Sequence, residues 1–265
     1  MGKGLRRGVL DAVTIFLVTV AAGLFVKAVV LDACRIVSPS MEPSLATGDY
    51  LLFNRLPYSL PHPLVRALLL SAGVPPFASP LLHNPQHGDI LVFKNPGEDH
   101  GDAATQLYVK RCIGLPGDTV KISHGSLQIN SVIYRRLPDR DGLLDYGPYL
   151  VPRKGTRLQL STSTISWWKP LITGEGHVVH TGTNGAVFID GNSQSTYTVG
   201  KDYVFVLGDN LVNSSDSRSW GPVAVERVVG KGLFTFWSRD PGADRDGFWH
   251  RLAKTRWSRL GMMVR

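Results

Sequence analysis

The chain has 265 residues, of which 43% are hydrophobic and 19% are charged, and its formal net charge is +8. This composition is typical of a globular protein, and the 28 glycines and 17 prolines favour β-structure with many turns. Positive charge suits anionic lipid or nucleic acid, but no run of five or more lysines and arginines exists, which argues against nucleic acid. Two cysteines, Cys34 and Cys112, make neither a disulfide framework nor a metal site.

The longest apolar segment, residues 9–31, predicts a transmembrane helix. At about 1.5 Å per residue it reaches roughly 34 Å, enough to cross a hydrocarbon core of about 30 Å. Lys3, Arg6 and Arg7 precede it and favour a cytoplasmic N-terminus at residues 1–8, with the rest of the chain outside. The alternative is a cleaved secretory signal peptide, although its apolar core is usually shorter.

Residues 32–118 are predicted to form the first part of a mainly β catalytic core. Gly48–Arg55 reads as a turn followed by a strand, and Gly88–Asn95 is a β-branched and aromatic strand between turn signals. Between them, residues 56–87 hold seven prolines around an apolar stretch that is too short to span a bilayer. This insertion predicts either a short buried helix or an apolar loop that enters the lipid.

Further strands follow this insertion. Gln106–Leu115 is a strand that ends in the turn Pro116–Asp118, and a hairpin follows around His124–Gly125. Residues 119–200 are predicted to be an inserted β-rich lobe. The strand pattern returns in residues 201–240, which we expect to be the second part of the core.

The C-terminal tail, residues 241–265, alternates apolar and basic side chains from Phe248 onward. This pattern predicts a basic amphipathic helix that lies on an anionic lipid surface. The alternative is an ordinary helix that packs against the domain.

The segment VSPSMEPSL at residues 37–45 raises the question of nucleophilic chemistry near the membrane. A serine hydroxyl needs a base to become a nucleophile, yet no histidine is close in sequence and no GxSxG motif exists. A lysine can act as the base if it is neutral, and burial among apolar groups lowers its pKa from about 10.4. Lys110 fits, because it lies in a predicted strand and shares a face with Tyr108 and Cys112.

Four boxes in this order carry a resemblance to a known family: SPSMEPSL, GDYLLFN, YVKRCIGLPGD and GDNLVNSSDSRSWGPV. The chain resembles the type I signal peptidases, which are membrane-anchored serine proteases with a Ser–Lys dyad. The resemblance covers roughly residues 10–237. It implies an N-terminal transmembrane helix followed by a coiled β-sheet catalytic core of the signal-peptidase type with an inserted β-rich lobe.

The resemblance implies a role for individual residues by their position in the boxes. Ser40 is expected to be the nucleophile and Lys110 the general base. Ser38 matches the oxyanion-hole hydroxyl and Ser214 the serine that orients the lysine. Further positions match a structural ion pair, Asp216 and Arg218, and the walls of small apolar substrate pockets, Ile36, Val37, Met41, Leu45, Tyr108 and Val109.

Each of these assignments has a structural alternative. Ser38 can simply cap a turn, Ser215 can take the role given to Ser214, and Met41 can be a packing residue. The chain also departs from the usual pattern of the family, with Pro39 between the two serines and Leu211–Val212 in place of a charged pair.

The expected function is removal of N-terminal signal peptides from exported preproteins by a serine endopeptidase. The protein is expected to be a monomer in the bacterial inner membrane, single-pass with its catalytic domain outside, that contacts lipids and needs no metal or organic cofactor. Two other functions stay open: a specialised relative that processes pilin-like or conjugation substrates, and a non-catalytic membrane scaffold. Self-cleaving repressors share the dyad, but the membrane segment argues against them.

Overall fold

The computed structural model is mainly β, as the sequence predicts, and it describes residues 8, 11–20, 23, 30–55, 71, 84–94, 106–137, 145–183, 185–242 and 253–264. Helices include residues 11–20, Ile165–Gly174 and Ser217–Trp220. The strands in chain order are β1 Leu31–Arg35, β2 Asp49–Asn54, β3 Ile90–Lys94, β4 Leu107–Gly114, β5 Thr119–Ser123, β6 Ser126–Ile129, β7 Val132–Arg136, β8 Tyr146–Leu150, β9 Arg157–Gln159, β10 Val179–Thr181, β11 Val187–Ile189, β12 Asn192–Ser193, β13 Thr196–Thr198, β14 Tyr203–Leu207, β15 Val223–Ala224, β16 Val228–Ser238 and β17 Met262–Met263.

The largest sheet carries the candidate site. Its strands are antiparallel in the order β1-β2-β16-β3-β4-β14-β15, and β17 pairs with β16. Every residue of β3 except Lys94 is buried, because the two faces of this strand pack into different cores. Ile90 and Val92 face the core beneath the candidate site, whereas Leu91 and Phe93 face the core on the other side. Both sides of the strands that position the site are therefore held by packing.

A second set of strands follows β4 in the chain. Sheet β7-β6-β5-β8 contains the predicted hairpin around His124–Gly125, and two smaller sheets pair β9 with β13 and join β10, β11 and β12. The helix Ile165–Gly174 was not predicted, because residues 119–200 were expected to form a β-rich lobe. Trp167 stacks on Tyr149, and the helix buries its apolar ends in the core of this region.

Strand β1 was not among the strands predicted from the sequence. Leu31–Arg35 pairs residue by residue with β2, so Leu31, which was assigned to the end of the transmembrane helix, belongs to the sheet. The segment that leads to Ser40 is thus part of the sheet.

The expected anchor is described only in part. Residues 11–20 are helical, and their apolar side chains Ile15 and Phe16 are about two-thirds exposed. No helix within the described part of the chain is long and apolar enough to cross a membrane. The rest of the predicted span before residue 30, apart from Gly23, and residues 56–83 of the proline-rich insertion, apart from Ser71, lie outside the described residues.

The prediction of a basic amphipathic helix in the tail 241–265 is wrong for residues 253–264. These residues form a 3-10 turn at Trp257–Arg259 and the short strand β17. Arg259 donates hydrogen bonds of 2.7–3.1 Å to both carboxylate oxygens of Asp49, which is fully buried. Arg259, which the pattern placed in an amphipathic helix, instead neutralises a buried carboxylate, and this contact fixes the position of the tail.

Candidate active site

Ser40 and Lys110, which are 70 residues apart in the sequence, meet in the structure. Lys110 lies in the middle of β4, and Ser40 lies in the 3-10 turn Pro39–Met41 between β1 and β2. Lys110 Nζ is 2.5 Å from Ser40 Oγ, and the two residues are only 4% and 6% exposed. The sequence-based expectation placed the two side chains together and away from water, and the structure does so.

The surroundings of Lys110 favour the neutral amine. Burial is the largest cause and lowers the pKa of Lys110 below its usual 10.5, because the ammonium loses its hydration. The carboxylates of Asp216 and Asp209 act in the opposite direction, and the cation of Arg218 adds to the lowering. Burial prevails over the two carboxylates, so Lys110 is better suited to accept a proton than an exposed lysine is.

The turn that carries Ser40 has a defined start. Pro39 occupies the first position of the 3-10 turn, where its fixed φ is suitable and its missing N–H costs no hydrogen bond. Ser38 precedes it in an extended conformation, and its Oγ lies 3.1 Å from Ser40 Oγ. The departure from the family pattern at Pro39 is therefore compatible with a structured turn that keeps both hydroxyls together.

Gly208 and Asn210, which follow β14, hold this turn in place. The sequence analysis gave neither of them a role. Asn210 donates its backbone N–H to the Ser40 carbonyl at 3.0 Å and its side-chain amide to the Pro39 carbonyl at 3.3 Å. A Cβ placed on Gly208 would lie 2.5 Å from the Ser40 carbonyl oxygen, so only glycine allows this approach. The GDN start of the fourth box is the signal that points to these residues.

Asp216 and Arg218 form the predicted ion pair. Asp216 is fully buried and accepts two hydrogen bonds of 2.8 Å from the Arg218 guanidinium, as well as the backbone N–H of Gly208. Arg218 also donates to the Leu211 carbonyl at 2.6 Å. The pair thus ties together the two ends of the loop that runs from Gly208 to the helix Ser217–Trp220.

A second buried ion pair was missed in the sequence. Arg111 follows Lys110 in β4 and donates to both carboxylate oxygens of Asp209 at 2.6–2.7 Å. It also donates to the Gly88 carbonyl at 2.8 Å, so one guanidinium joins three parts of the main sheet. The sequence shows Arg111 directly after Lys110 in the third box, and Asp209 in the GDN of the fourth box. No local pattern indicates that Arg111 and Asp209 contact each other.

Ser214 lies beside the dyad without the predicted hydrogen bond. Its Oγ is buried, and no partner for it is found among the described residues. A Cβ on Gly208 would come within 2.2 Å of this Oγ, which places Ser214 against the same strand end that holds Ser40.

A cleft of about 320 Å³ opens onto the dyad. It is lined by Ser38, Ser40 and Lys110, and by five of the six predicted pocket residues, Ile36, Val37, Met41, Tyr108 and Val109. Leu45 is the exception, because it is fully buried in the core that also contains Met41 and does not reach the cleft. Within the described residues, no group of three or more His, Cys, Asp or Glu side chains is arranged to hold a metal ion.

The family model of signal peptidase, peptidase S26, matches residues 9–237. The chain belongs to this family. Signal peptidase I of Aquifex aeolicus (strain VF5) is 27% identical over 241 residues, which cover 85% of this chain and 83% of that protein. Signal peptidase I of Pseudomonas aeruginosa is also 27% identical, over 82% of this chain and 68% of that protein. A crystal structure of a signal peptidase I from Enterococcus faecalis V583 is 27% identical and covers 56% of this chain and 95% of its own, with a TM-score of 0.28.

Membership of the S26 family confirms the resemblance that the four sequence boxes indicated. It makes this chain a serine endopeptidase. No histidine lies among the described residues that line the cleft.

Proposed function

We propose that this chain cleaves N-terminal signal peptides from exported preproteins, with Ser40 as the nucleophile and Lys110 as the general base. The observation that carries the proposal is the 2.5 Å contact between Lys110 Nζ and Ser40 Oγ in a buried setting that lowers the pKa of the amine. A hydroxyl beside a neutral amine is the minimal arrangement for nucleophilic attack on a peptide carbonyl.

The proposed reaction has two steps. Neutral Lys110 takes the proton of Ser40 while Oγ attacks the scissile carbonyl carbon, and the resulting ammonium then protonates the departing amine. Neutral Lys110 next takes a proton from a water molecule whose oxygen attacks the acyl carbon, and the ammonium returns that proton to Ser40 Oγ as the bond between the acyl carbon and Oγ breaks. The Ser38 hydroxyl and the Ser40 backbone N–H stabilise the negative carbonyl oxygen, and removal of one such donor typically costs about 2.7–4 kcal/mol.

Ser214 and the ion pair have supporting roles in this proposal. The buried Ser214 hydroxyl has no partner among the described residues, so it is available to accept a hydrogen bond from Lys110 when the amine becomes charged. The pair of Asp216 and Arg218 holds the loop that carries Ser214.

The substrate is proposed to lie in the cleft as an extended chain. Ile36, Met41 and Val109 form apolar walls at the dyad, and they suit small residues of the Ala-x-Ala type before the scissile bond. Residues 9–31 are proposed to anchor the protein in the bacterial inner membrane, with residues 1–8 in the cytoplasm and the catalytic domain outside. The apolar, exposed side chains of residues 11–20 and the basic residues before them support this orientation.

A cleavage assay tests the proposal directly. Purified protein in detergent is mixed with an Ala-x-Ala preprotein, and the wild type is compared with Ser40→Ala and Lys110→Met. We expect the wild type to release the mature protein and both variants to lose at least about 10³-fold in kcat/KM. Full activity of either variant, with circular dichroism showing a native fold, would show that the assignment of the dyad is wrong.

A further inference from the structure

Ser40 lies in a loop, residues 36–49, whose two ends are joined. Ile36 donates its backbone N–H to the Asp49 carbonyl oxygen, and Gly48 donates its N–H to the Ile36 carbonyl oxygen, both at 2.8 Å. Loops whose ends nearly meet form compact units that are packed by their own side chains. A contact made anywhere along this loop therefore bears on the position of Ser40.

The half of the loop that follows the 3-10 turn is tied to the turn and to β4. The Leu45 N–H donates to the Met41 carbonyl at 2.9 Å, and both side chains are buried in the same core. Arg111 of β4 donates from Nη2 to Ser44 Oγ at 3.3 Å. Ser44 thus connects the loop to the strand that carries Lys110.

The C-terminal segment holds the same half of the loop. Arg259 Nη2 donates to the Ser44 carbonyl at 3.2 Å and to Asp49 Oδ2 at 2.7 Å. Arg256 Nη2 donates to the Thr47 carbonyl at 2.6 Å. The Arg259 side chain is only 18% exposed, so water has little access to replace its contacts. Two arginines of the tail therefore hold the backbone of the loop that contains the proposed nucleophile.

The two contacts of Arg259 have different consequences. The contact with Asp49 neutralises a buried carboxylate and contributes to stability, because an unpaired buried charge is costly. The contact with the Ser44 carbonyl involves no second charge and fixes the path of the backbone after Ser40. A glutamine at position 259 ends near the place of the arginine Nε, so it lacks the terminal nitrogen that reaches Ser44.

We propose that Arg259 is a positioning residue for catalysis, which acts through Ser44 to hold Ser40 Oγ against Lys110 Nζ. This inference rests on the proposed function. Without the Arg259 contact, the second half of the loop is free to shift, and the turn that carries Ser40 shifts with it. The contact between the hydroxyl and its base then lengthens.

The expected effect falls on kcat. A misplacement of about 1 Å at a reacting group can cost roughly 10²-fold in rate, so a shift of a fraction of that distance should cost about 10-fold. Of residues 42–49, all of which the structure describes, none lines the cleft. Substrate binding should therefore change little, and KM should stay within about 2-fold of the wild-type value.

The experiment separates positioning from stability. The full-length protein in neutral detergent cleaves an Ala-x-Ala preprotein, and kcat, KM and the thermal unfolding midpoint are measured for each variant. Arg259→Gln is compared with the double variant Asp49→Asn/Arg259→Gln, which contains no buried charge at position 49. The matched control is Arg157→Gln, which removes an exposed arginine of β9.

We expect Arg259→Gln to unfold at a lower temperature and to lose about 10-fold in kcat. The double variant should regain stability, because no carboxylate is left unpaired, yet its kcat should remain about 10-fold below the wild-type value. Arg157→Gln should match the wild type in all three measurements. If Arg259→Gln does not fold, the kcat of the double variant decides.

A return of kcat to the wild-type value in the double variant overturns the inference, because Arg259 then acts through stability alone. An increase in KM with unchanged kcat overturns it as well. Ser40→Ala, assayed in parallel, separates this failure from that of the proposed function. If the wild type cleaves the preprotein and Ser40→Ala does not, Ser40 stands as the nucleophile whatever Arg259 does.

Discussion

Gly208 lies so close to the turn of Ser40, the proposed nucleophile, that a single methyl group there should lower activity. An alanine Cβ would be 2.5 Å from the Ser40 carbonyl oxygen, whereas ordinary contact begins at 3.4 Å, so that carbonyl must retreat by about 0.9 Å. A misplacement of about 1 Å at a reacting group can cost roughly 10²-fold in rate. We therefore expect Gly208→Ala to lower kcat/KM about 100-fold, which corresponds to about 2.7 kcal/mol of transition-state stabilisation.

The measurement combines peptide cleavage with thermal unfolding. Overpacking of this kind typically costs about 1–3 kcal/mol of stability, so the variant should remain folded while it loses activity. Gly174→Ala is the matched control, because a Cβ at Gly174 meets no atom within 4 Å and should leave activity unchanged. If Gly208→Ala retains wild-type kcat/KM, the proposed link between Gly208 and the position of Ser40 is wrong.

Three further predictions concern charge. The rate of cleavage should increase with pH, with a midpoint below 10.5, because only neutral Lys110 accepts the proton and its pKa is lowered. A midpoint at or above 10.5 in a pH–rate profile contradicts this prediction. Arg259→Ala should destabilise the protein by about 3 kcal/mol in urea unfolding, because buried Asp49 loses its main cation, whereas Arg259→Lys should cost less. Arg111→Lys should lower kcat/KM about 5- to 30-fold, because lysine cannot reproduce the bidentate contact with Asp209; an unchanged kcat/KM argues against a positioning role.

The acid stability of the protein should depend on Asp49. Burial acts to raise the pKa of Asp49, but hydrogen bonds from Arg259, Ser238 and the Ala46 backbone outweigh it, and the pKa is lowered. The resulting stability is fully present above the unfolded value of about 3.9 and is lost as pH falls through the folded pKa. Unfolding curves at successive pH values should therefore lose less stability below pH 4 in Asp49→Asn than in the wild type.

The sequence indicated Ser40 and Lys110 because local patterns mark both segments and the family resemblance selects one residue in each. Ser40 lies in a serine- and proline-rich segment, and strand alternation places Lys110 on one face with Tyr108 and Cys112. The strands β2, β3 and β4 were equally accessible, since turn residues delimit each apolar run.

The residues that support the dyad could not be found in this way. Asn210 reaches Ser40 across 170 positions of sequence, and its contact depends on how β14 pairs with β4. The prediction of a helix in the tail was wrong for a related reason. The basic and apolar pattern fits a helix, but Asp49, 210 residues earlier, requires Arg259 as a partner. A local pattern cannot reveal a buried charge elsewhere in the chain, and such a charge overrides propensity.

The bond between Asp49 and Arg259 also sets an order of events during biosynthesis. Asp49, at the start of β2, is synthesised early, but it can be buried beside Arg259 only after more than two hundred further residues have been translated. A nascent chain should therefore be inactive as a protease. Activity should appear only when the segment containing Arg259 packs against Asp49.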